Sequence, residues 1–392
     1  MIKKKLKIGI FTDSFLPYVS GVVVSILNFK EGLERLGHQV FIFTQKFPNY
    51  KEKEKNVFRF KSITIKANKN IEFPLPLTIS PKIHKKIKRL NLDIIHIQHP
   101  FLMGMAGLYY SKKLKIPCIF TYHTRYEECA PYYLPILPKK ISSKLAKKIT
   151  FNFAKRCDAI IVPSIFIKKY FQREGIKKPL WVLPTAIQFE KIKNAKKKDK
   201  LALPKKARVL LYVGRLAREK NVVFLLKAFK KVLQVSKNKN VYLLLVGDGP
   251  ATDELKKLSK KLDIERNVIF FGKVNPKEVP QYYKAADVFV FASKTDTQAL
   301  VLPEAMAAGI PIVALNFPGP KDIITNGVNG FLTKDSLKEF SQKIRGLLDD
   351  EKKRKKIALN GQKTAKKYSI PVISKKLVVI YQKTIEDYQR KR

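Results

Sequence analysis

The 392-residue sequence predicts an α/β protein made of two doubly wound parallel-sheet halves. Three observations lead there: short apolar runs alternate with helix-like segments, that alternation occurs twice, and a charged stretch without apolar periodicity separates the two series.

In the first half the runs are 6–12 (LKIGIFT), 39–44 (QVFIFT), 93–97 (DIIHI), 117–122 (PCIFTY) and 158–163 (DAIIVP). The second half repeats the rhythm at 208–214 (RVLLYVG), 241–247 (VYLLLVG), 267–271 (NVIFF), 287–291 (DVFVF) and 311–315 (PIVAL). Between them lies 190–206, EKIKNAKKKDKLALPKK, a surface linker by its charge. Open parallel sheets bind ligands at the carboxyl ends of their strands, so a ligand site is expected there and in a cleft between the halves.

Composition narrows the function. No apolar run approaches the roughly 20 residues of a membrane span, and the start, MIKKKLKIGIF, enters a strand without a signal-cleavage pattern, so a cytoplasmic protein is expected. Cys118, Cys129 and Cys157 form no CxxC pattern and read as packing residues, neither a disulfide framework nor a zinc site. The net charge of +49 invites a nucleic-acid reading. Residues 1–200, however, carry 41 basic and 13 acidic side chains and 201–392 carry 39 and 18, so no single arm holds the excess. Lysines far outnumber arginines, whereas Arg is the preferred base reader. A basic face remains able to meet anionic lipid.

Several residues could carry chemistry. Gly21 stands where a loop enters an amphipathic helix, a place suited equally to a turn or to the close approach of a phosphate. His38 follows Gly37 at the end of that helix and reads as a cap without a further role. After the run 208–214, GRLAREKN places Arg215 and Lys220 beyond a strand's carboxyl end, where two cations can meet a diphosphate; a solvated basic pair is the alternative. KTDTQALVLPEAMAAGIPIVA sets Asp296 and Glu304 on either side of a loop-to-helix junction, with Gly309 ending the helix. Amides near Leu300 and Val301 would face an anion, and Glu304, one turn in, could accept hydrogen bonds from hydroxyls.

GRLAREKN, the VGDGP turn at 246–250, FFGKV at 270–274, YYKAADVFVFAS and DTQALVLPEAMAAGIPIVA, in this order and spacing, resemble the donor domain of family-four retaining glycosyltransferases. That family has the GT-B fold of two Rossmann-like domains. The resemblance implies an acceptor-binding domain over 1–186 and a nucleotide-sugar domain over 187–370. It further implies a helix over 371–392 that returns to the first domain. By the resemblance, Glu304 binds the ribose hydroxyls, Arg215 and Lys220 the diphosphate, and the Leu300 and Val301 amides its distal phosphate. Gly214 and Val274 belong to the same donor-binding motifs. The family's acid pair has seven residues between its members, as Asp296 and Glu304 do; its first member, usually Glu, holds the transferred sugar, and here it is Asp296.

In the first half PYVSGV resembles the family's glycine-rich loop, with Ser20 where a second Gly is common, which draws Gly21 into the donor site and Ser20 towards the acceptor. TYHTRYEECAPYYLP puts His123 where the family has a histidine lining the sugar and acceptor pocket, with Tyr122 and Tyr126 beside it. The implied catalytic set is then His123, Arg215, Lys220 and Asp296. At LPTAIQ, Ala186 and Gln188 depart from the family's usual PTG followed by Ile or Val and Asp.

Transfer from a nucleotide diphosphate builds charge on the leaving phosphate, to be met by a metal or by fixed cations and helix amides. The chain has no DxD pair, and Arg215, Lys220 and the helix near Leu300 can do that work, so neither a metal nor a cofactor is expected. Retention, glucose and a UDP donor follow from the resemblance alone. TYHTRYEE with Tyr132 and Tyr133 resembles the subset that glucosylates diacylglycerol, and 135–156 is a basic amphipathic stretch suited either to anionic lipid or to an ordinary solvated face. The expected partners are therefore a nucleotide sugar, a lipid acceptor and the anionic surface of the inner face of the cell membrane, with no specific nucleic acid. A soluble, polysaccharide or phospholipid acceptor is the alternative for the same chemistry. A non-enzymatic anionic-surface or nucleic-acid binder would leave the convergence of Asp296, Glu304, Arg215 and Lys220 without a reason.

Overall fold

The computed structural model describes residues 5–392 except 19, 48–49, 69–70, 77–80, 134–136, 199–202, 205, 236–239 and 297; the side chains of 63–76 and 132–133 also lie outside it. Expectations resting on the Tyr132 and Tyr133 side chains, on residues 135–136 of the basic stretch and on 199–202 and 205 of the linker thus fall outside the described residues. The chain forms two compact units, Met1–Ala186 with Ile370–Arg392, and Ile187–Ser369.

The first unit runs β1 (Lys7–Phe11), α1 (Gly21–Arg35), β2 (Gln39–Gln45), β3 (Val57–Phe60), β4 (Ser62–Asn68), β5 (Ile71–Pro76), α2 (Pro81–Leu90) and β6 (Ile94–Ile97). It continues with α3 (Leu102–Leu114), β7 (Cys118–Thr121), α4 (Tyr126–Tyr133), α5 (Lys139–Arg156), β8 (Ala159–Val162), α6 (Ile165–Arg173) and β9 (Leu180–Val182). Seven strands make one sheet in the order β3-β2-β1-β6-β7-β8-β9, all pairs parallel, and β4 and β5 pair antiparallel beside it. The near-continuous apolar runs follow from that topology: a parallel sheet covered on both faces buries consecutive residues, and β6, β7 and β8 are buried throughout.

The second unit runs α7 (Phe189–Lys193), β10 (Arg208–Val213), α8 (Val222–Val235), β11 (Val241–Val246), α9 (Thr252–Lys261), β12 (Val268–Gly272) and α10 (Val279–Ala285). There follow β13 (Val288–Phe291), α11 (Val301–Ala308), β14 (Ile312–Leu315), α12 (Pro318–Lys321), β15 (Phe331–Thr333), α13 (Leu337–Asp349) and α14 (Glu351–Lys366). Its six strands are again parallel, in the order β12-β11-β10-β13-β14-β15.

The last helix, α15 (Ile370–Arg390), packs into the first unit against α1. Gly32 makes the contact close, because a Cβ there would stand 1.8 Å from Ser374 Oγ. Ile370, Ile373, Leu377 and Tyr381 share one buried cluster with Val23, Ile26, Phe29 and Leu33. Inside this packing His96 bridges Tyr381 and Thr121, each oxygen 2.6 Å from a ring nitrogen, and burial lowers its pKa to about 3. His38 holds the Leu6 amide at 3.0 Å through Nδ1.

In each sheet the strand order reverses direction at one place, between β1 and β6 in the first unit and between β10 and β13 in the second. Loops leaving those strand pairs at their carboxyl ends diverge to opposite faces and open a crevice, the general position of ligand sites in such sheets.

Candidate active site

At the reversal point of the second unit, the loop after β10 carries Gly214, Arg215 and Lys220, and the loop after β13 carries Asp296. Glycines set the first loop's path. A Cβ on Gly247 would stand 2.0 Å from the Gly214 carbonyl oxygen, and one on Gly249 2.3 Å from that of Leu216, so the VGDGP turn is glycine-rich because backbone meets backbone there. Hydrogen bonds lock the approach, from Gly214 N to Val246 O, Leu216 N to Asp248 O and Ala251 N to Leu216 O, each 3.0 Å. Residues 218–220 then form one 3-10 turn, and Asn221, in the left-handed region at φ 56°, donates its side-chain Nδ2 to Ala292 O just after β13.

This geometry brings Lys220 Nζ to 2.6 Å from Asp296 Oδ1, while Asp296 Oδ2 is buried with no partner. Arg215 pairs with Glu219 and is largely exposed. Behind Asp296, a Cβ on Gly319 of α12 would come within 2.3 Å of the Asp296 carbonyl oxygen, so that glycine lets the acidic loop lie down. Ala299 takes φ 46°, an uncommon conformation for a side-chain-bearing residue, immediately before Leu300 and Val301 begin α11. α11 has no side-chain cap, which leaves its amino-terminal turn as a polar end aimed out of the sheet. One turn in, Glu304 accepts a hydrogen bond from the Tyr283 hydroxyl at 2.9 Å. Burial pushes its carboxyl up to about 7, against the lowering effect of that hydrogen bond. Val274 follows β12 and packs on the cluster beneath α11.

Sequence reasoning missed Tyr283 and Gly319. Tyr283 reads as core in YYKAADVFVF, and it is buried; its hydroxyl alone makes it more than core.

In the first unit the loops at the reversal point bring together Asp13 after β1, Gln98 and His99 after β6, and His123 and Tyr126 after β7. Met103 N, in the first turn of α3, donates to Asp13 Oδ1 at 2.9 Å. Burial nevertheless raises the Asp13 carboxyl to about 6. His123 Nε2 donates to Gln98 Oε1 at 2.7 Å, and burial, with His99 and His96 nearby, holds the His123 pKa well below its usual value. Gly21 opens α1, and a Cβ there would meet nothing within 4 Å, so space stands in front of it. Ser20 is the helix cap, its hydroxyl accepting from Val23 N at 3.3 Å.

Tyr122 is not placed as an acceptor-lining residue. It is 1% exposed, stacks edge-on with Phe171 and donates its hydroxyl to Glu127 at 3.1 Å, so it belongs to the core behind the site. Tyr122 packs into the cluster with Phe171, whereas the next residue, His123, reaches Gln98. Tyr126 is half-buried, and its hydroxyl has no partner.

Family models match both halves of the chain. The model described as "Glycosyl transferases group 1" matches residues 193–364, and "Glycosyltransferase Family 4" matches 19–191. An alpha-monoglucosyldiacylglycerol synthase of Streptococcus pneumoniae is 34% identical over 336 residues, 83% of this chain and 75% of the relative. The chain belongs to the family-four glycosyltransferases. A second alpha-monoglucosyldiacylglycerol synthase, from Acholeplasma laidlawii, is 31% identical to this glycosyltransferase over 98% of the chain and 99% of the relative. Sucrose-phosphate synthase from Thermosynechococcus elongatus superposes with a TM-score of 0.76 at 19% identity, covering 98% of this chain and all of that one. The glycosyltransferase therefore has the GT-B fold, and it is a hexosyltransferase by its family. Among its described residues no helix is long and apolar enough to cross a membrane.

Proposed function

We propose that this glycosyltransferase moves glucose, with retention, from UDP-glucose to the free hydroxyl of 1,2-diacylglycerol. The observation that carries the reading is the kinship just described with two synthases whose printed name is alpha-monoglucosyldiacylglycerol synthase. The second unit's geometry agrees with it. Lys220 and Arg215 are the cations for the diphosphate, the amino end of α11 meets its distal phosphate, and Glu304 accepts from the ribose hydroxyls. Asp296, oriented by Lys220, holds hydroxyls of the transferred sugar. In this reading fixed cations and helix amides take the charge of the leaving phosphate, and no metal is needed.

Approach to a lipid acceptor has support in α5 and α3. Ile141, Leu145 and Ile149 are exposed on α5 among Lys139, Lys140, Lys144 and Lys148, and Leu102, Met105 and Tyr109 are exposed on α3. Arg156 near the end of α5 lies 3.7 Å from Met105 Sδ, joining the two faces. Apolar side chains ringed by lysine suit an anionic bilayer interface, each cation adding about 1 kcal/mol.

The test is transfer in mixed micelles: purified protein, EDTA, a panel of nucleotide sugars and diacylglycerol, with products separated by chromatography. An α-glucolipid formed from UDP-glucose is the expected result. Nucleotide release without lipid product would remove the acceptor reading, a requirement for metal would remove the charge assignment, and a β-linked product would remove retention. Flotation with liposomes should rise with anionic lipid content; binding indifferent to that content would remove the membrane reading.

A further inference from the structure

Three buried polar atoms in the first unit lack a hydrogen-bond partner and lie just past the carboxyl ends of three adjacent strands, β1, β6 and β7: Asp13 Oδ2, Gln98 Nε2 and the hydroxyl of Tyr126, the first residue of α4. A buried polar group left unpaired costs about 1–3 kcal/mol, so three at one place mark a position where a bound molecule supplies the missing partners. We propose that Asp13, Gln98 and Tyr126 form the seat of a neutral, hydroxyl-bearing acceptor. Asp13 Oδ2 accepts the hydroxyl hydrogen, and Gln98 Nε2 and the Tyr126 hydroxyl donate to the oxygens flanking it. This rests on the diacylglycerol reading above and deepens it, since a glycerol diester offers one hydroxyl and two neighbouring ester carbonyls.

The orphan atoms are held, not adrift. Met103 N fixes Oδ1 of Asp13, and the Gly104 amide also favours the ionised carboxyl, so the first turn of α3 orients the group. Gln98 is fully buried, and its Oε1 receives His123 Nε2–H at 2.7 Å, which turns Nε2 the other way. Asp13 is also near Tyr126, because after burial its charge is the main influence that raises the Tyr126 phenol.

Charge decides between a neutral acceptor and a phosphorylated one. His99 Nδ1 receives the Asp13 backbone amide at 3.3 Å, so that nitrogen is a bare acceptor, and burial lowers His99 to about 4. His123 and His96 are likewise kept neutral by burial. Arg125, two residues past His123, is bound to Glu127 and Glu128, and Arg59, which reaches back to Leu16 O, is bound to Glu52. Among the described residues no cation is within ion-pair distance of Asp13. A phosphoryl group seated there would face a carboxylate with no side-chain cation to offset the repulsion.

Direct binding of 1,2-dioctanoyl-sn-glycerol to the full chain tests this without needing turnover. Asp13→Asn, which keeps the volume, should weaken binding at least tenfold, and Tyr126→Phe, which removes one oxygen, at least threefold. Wild type should bind dioctanoyl phosphatidate at least tenfold more weakly than the glycerol. In the same preparations nucleotide affinity should stay within twofold of wild type. Unchanged dioctanoylglycerol affinity in Asp13→Asn or in Tyr126→Phe would overturn the seat, and phosphatidate bound as tightly would overturn its neutral character. Should Asp13→Asn not fold, Tyr126→Phe decides alone. A protein that binds the glycerol through Asp13 yet glucosylates no diacylglycerol sinks the proposed function and keeps the seat. One that glucosylates it with equal KM in wild type and Asp13→Asn does the reverse.

Discussion

Lys220 Nζ and Asp296 Oδ1 stand 2.6 Å apart, joined across 76 residues of chain, and each is about one-fifth exposed. A cation proposed for the diphosphate and an acid proposed for the sugar are thus one preassembled pair, and the orphaned Asp296 Oδ2 is the acid's free hand. Removing Lys220 removes a charge-stabilising donor and also leaves Asp296, a mostly buried carboxylate, without its cation. Lys220→Ala should lower kcat at least tenfold. In a double-mutant cycle with Asp296→Ala the losses should fall short of additivity by about 1–2 kcal/mol. Strict additivity in steady-state kinetics would show that the two act separately.

Burial pushes the Glu304 carboxyl up to about 7. Hydroxyls donate to its ionised form, so a bound donor lowers its pKa, and binding at pH 7 expels roughly half a proton. Affinity should therefore rise about tenfold from pH 6 to pH 8 as the ionised fraction grows. Calorimetry in two buffers of different ionisation enthalpy reads the proton directly, and Glu304→Gln should abolish the buffer dependence along with much of the affinity.

Much of this site was legible because its residues sit inside local motifs. Arg215, Lys220 and Asp296 occupy loops, and Glu304 the first turn of α11, whose glycines and helix starts leave a trace over a few positions. Tyr283 and Glu304 lie 21 residues apart, and Asp13 and Gln98 meet only after two strands pair, so no local pattern announces them. The inner strands were equally plain, since burial on both faces demands continuous apolar runs. β3, β9 and β15 escaped, being edge strands of three or four residues: VFRF carries a charge, and LWV is partly exposed. Tyr122 is ambiguous for a different reason, because just past a strand end the sequence does not say which of two adjacent residues faces the ligand.

Gly247 offers a structural test of the donor loop. It holds φ 132°, and a Cβ would lie 2.0 Å from Gly214 O. Gly247→Ala should destabilise the second unit by about 2 kcal/mol or more, since backbone must yield to backbone. Chemical denaturation would show it, with nucleotide affinity falling as the Arg215 loop is displaced.

His96 makes stability sensitive to acid. Its folded pKa, about 3, lies below the unfolded value near 6.5, so between those limits the unfolded chain takes up a proton that the folded one refuses. Stability is fully present above pH 6.5 and declines as pH falls towards 3. Tyr381→Phe leaves His96 Nδ1 buried without its 2.6 Å partner and should cost about 1–3 kcal/mol at neutral pH, measured by urea unfolding.

The helix that supplies Tyr381 is made after every strand of both sheets. Residues 187–369 are contiguous and can complete their own core during synthesis, whereas the first unit, begun earlier, stays open along the α1 face until residues 370–392 leave the ribosome. Val23, Ile26, Phe29 and Leu33 remain bare throughout that interval. The half of the enzyme translated first is therefore the half that finishes folding last, and a chain stopped at Ser369 should emerge with a sound second unit and a sticky, unfinished first one.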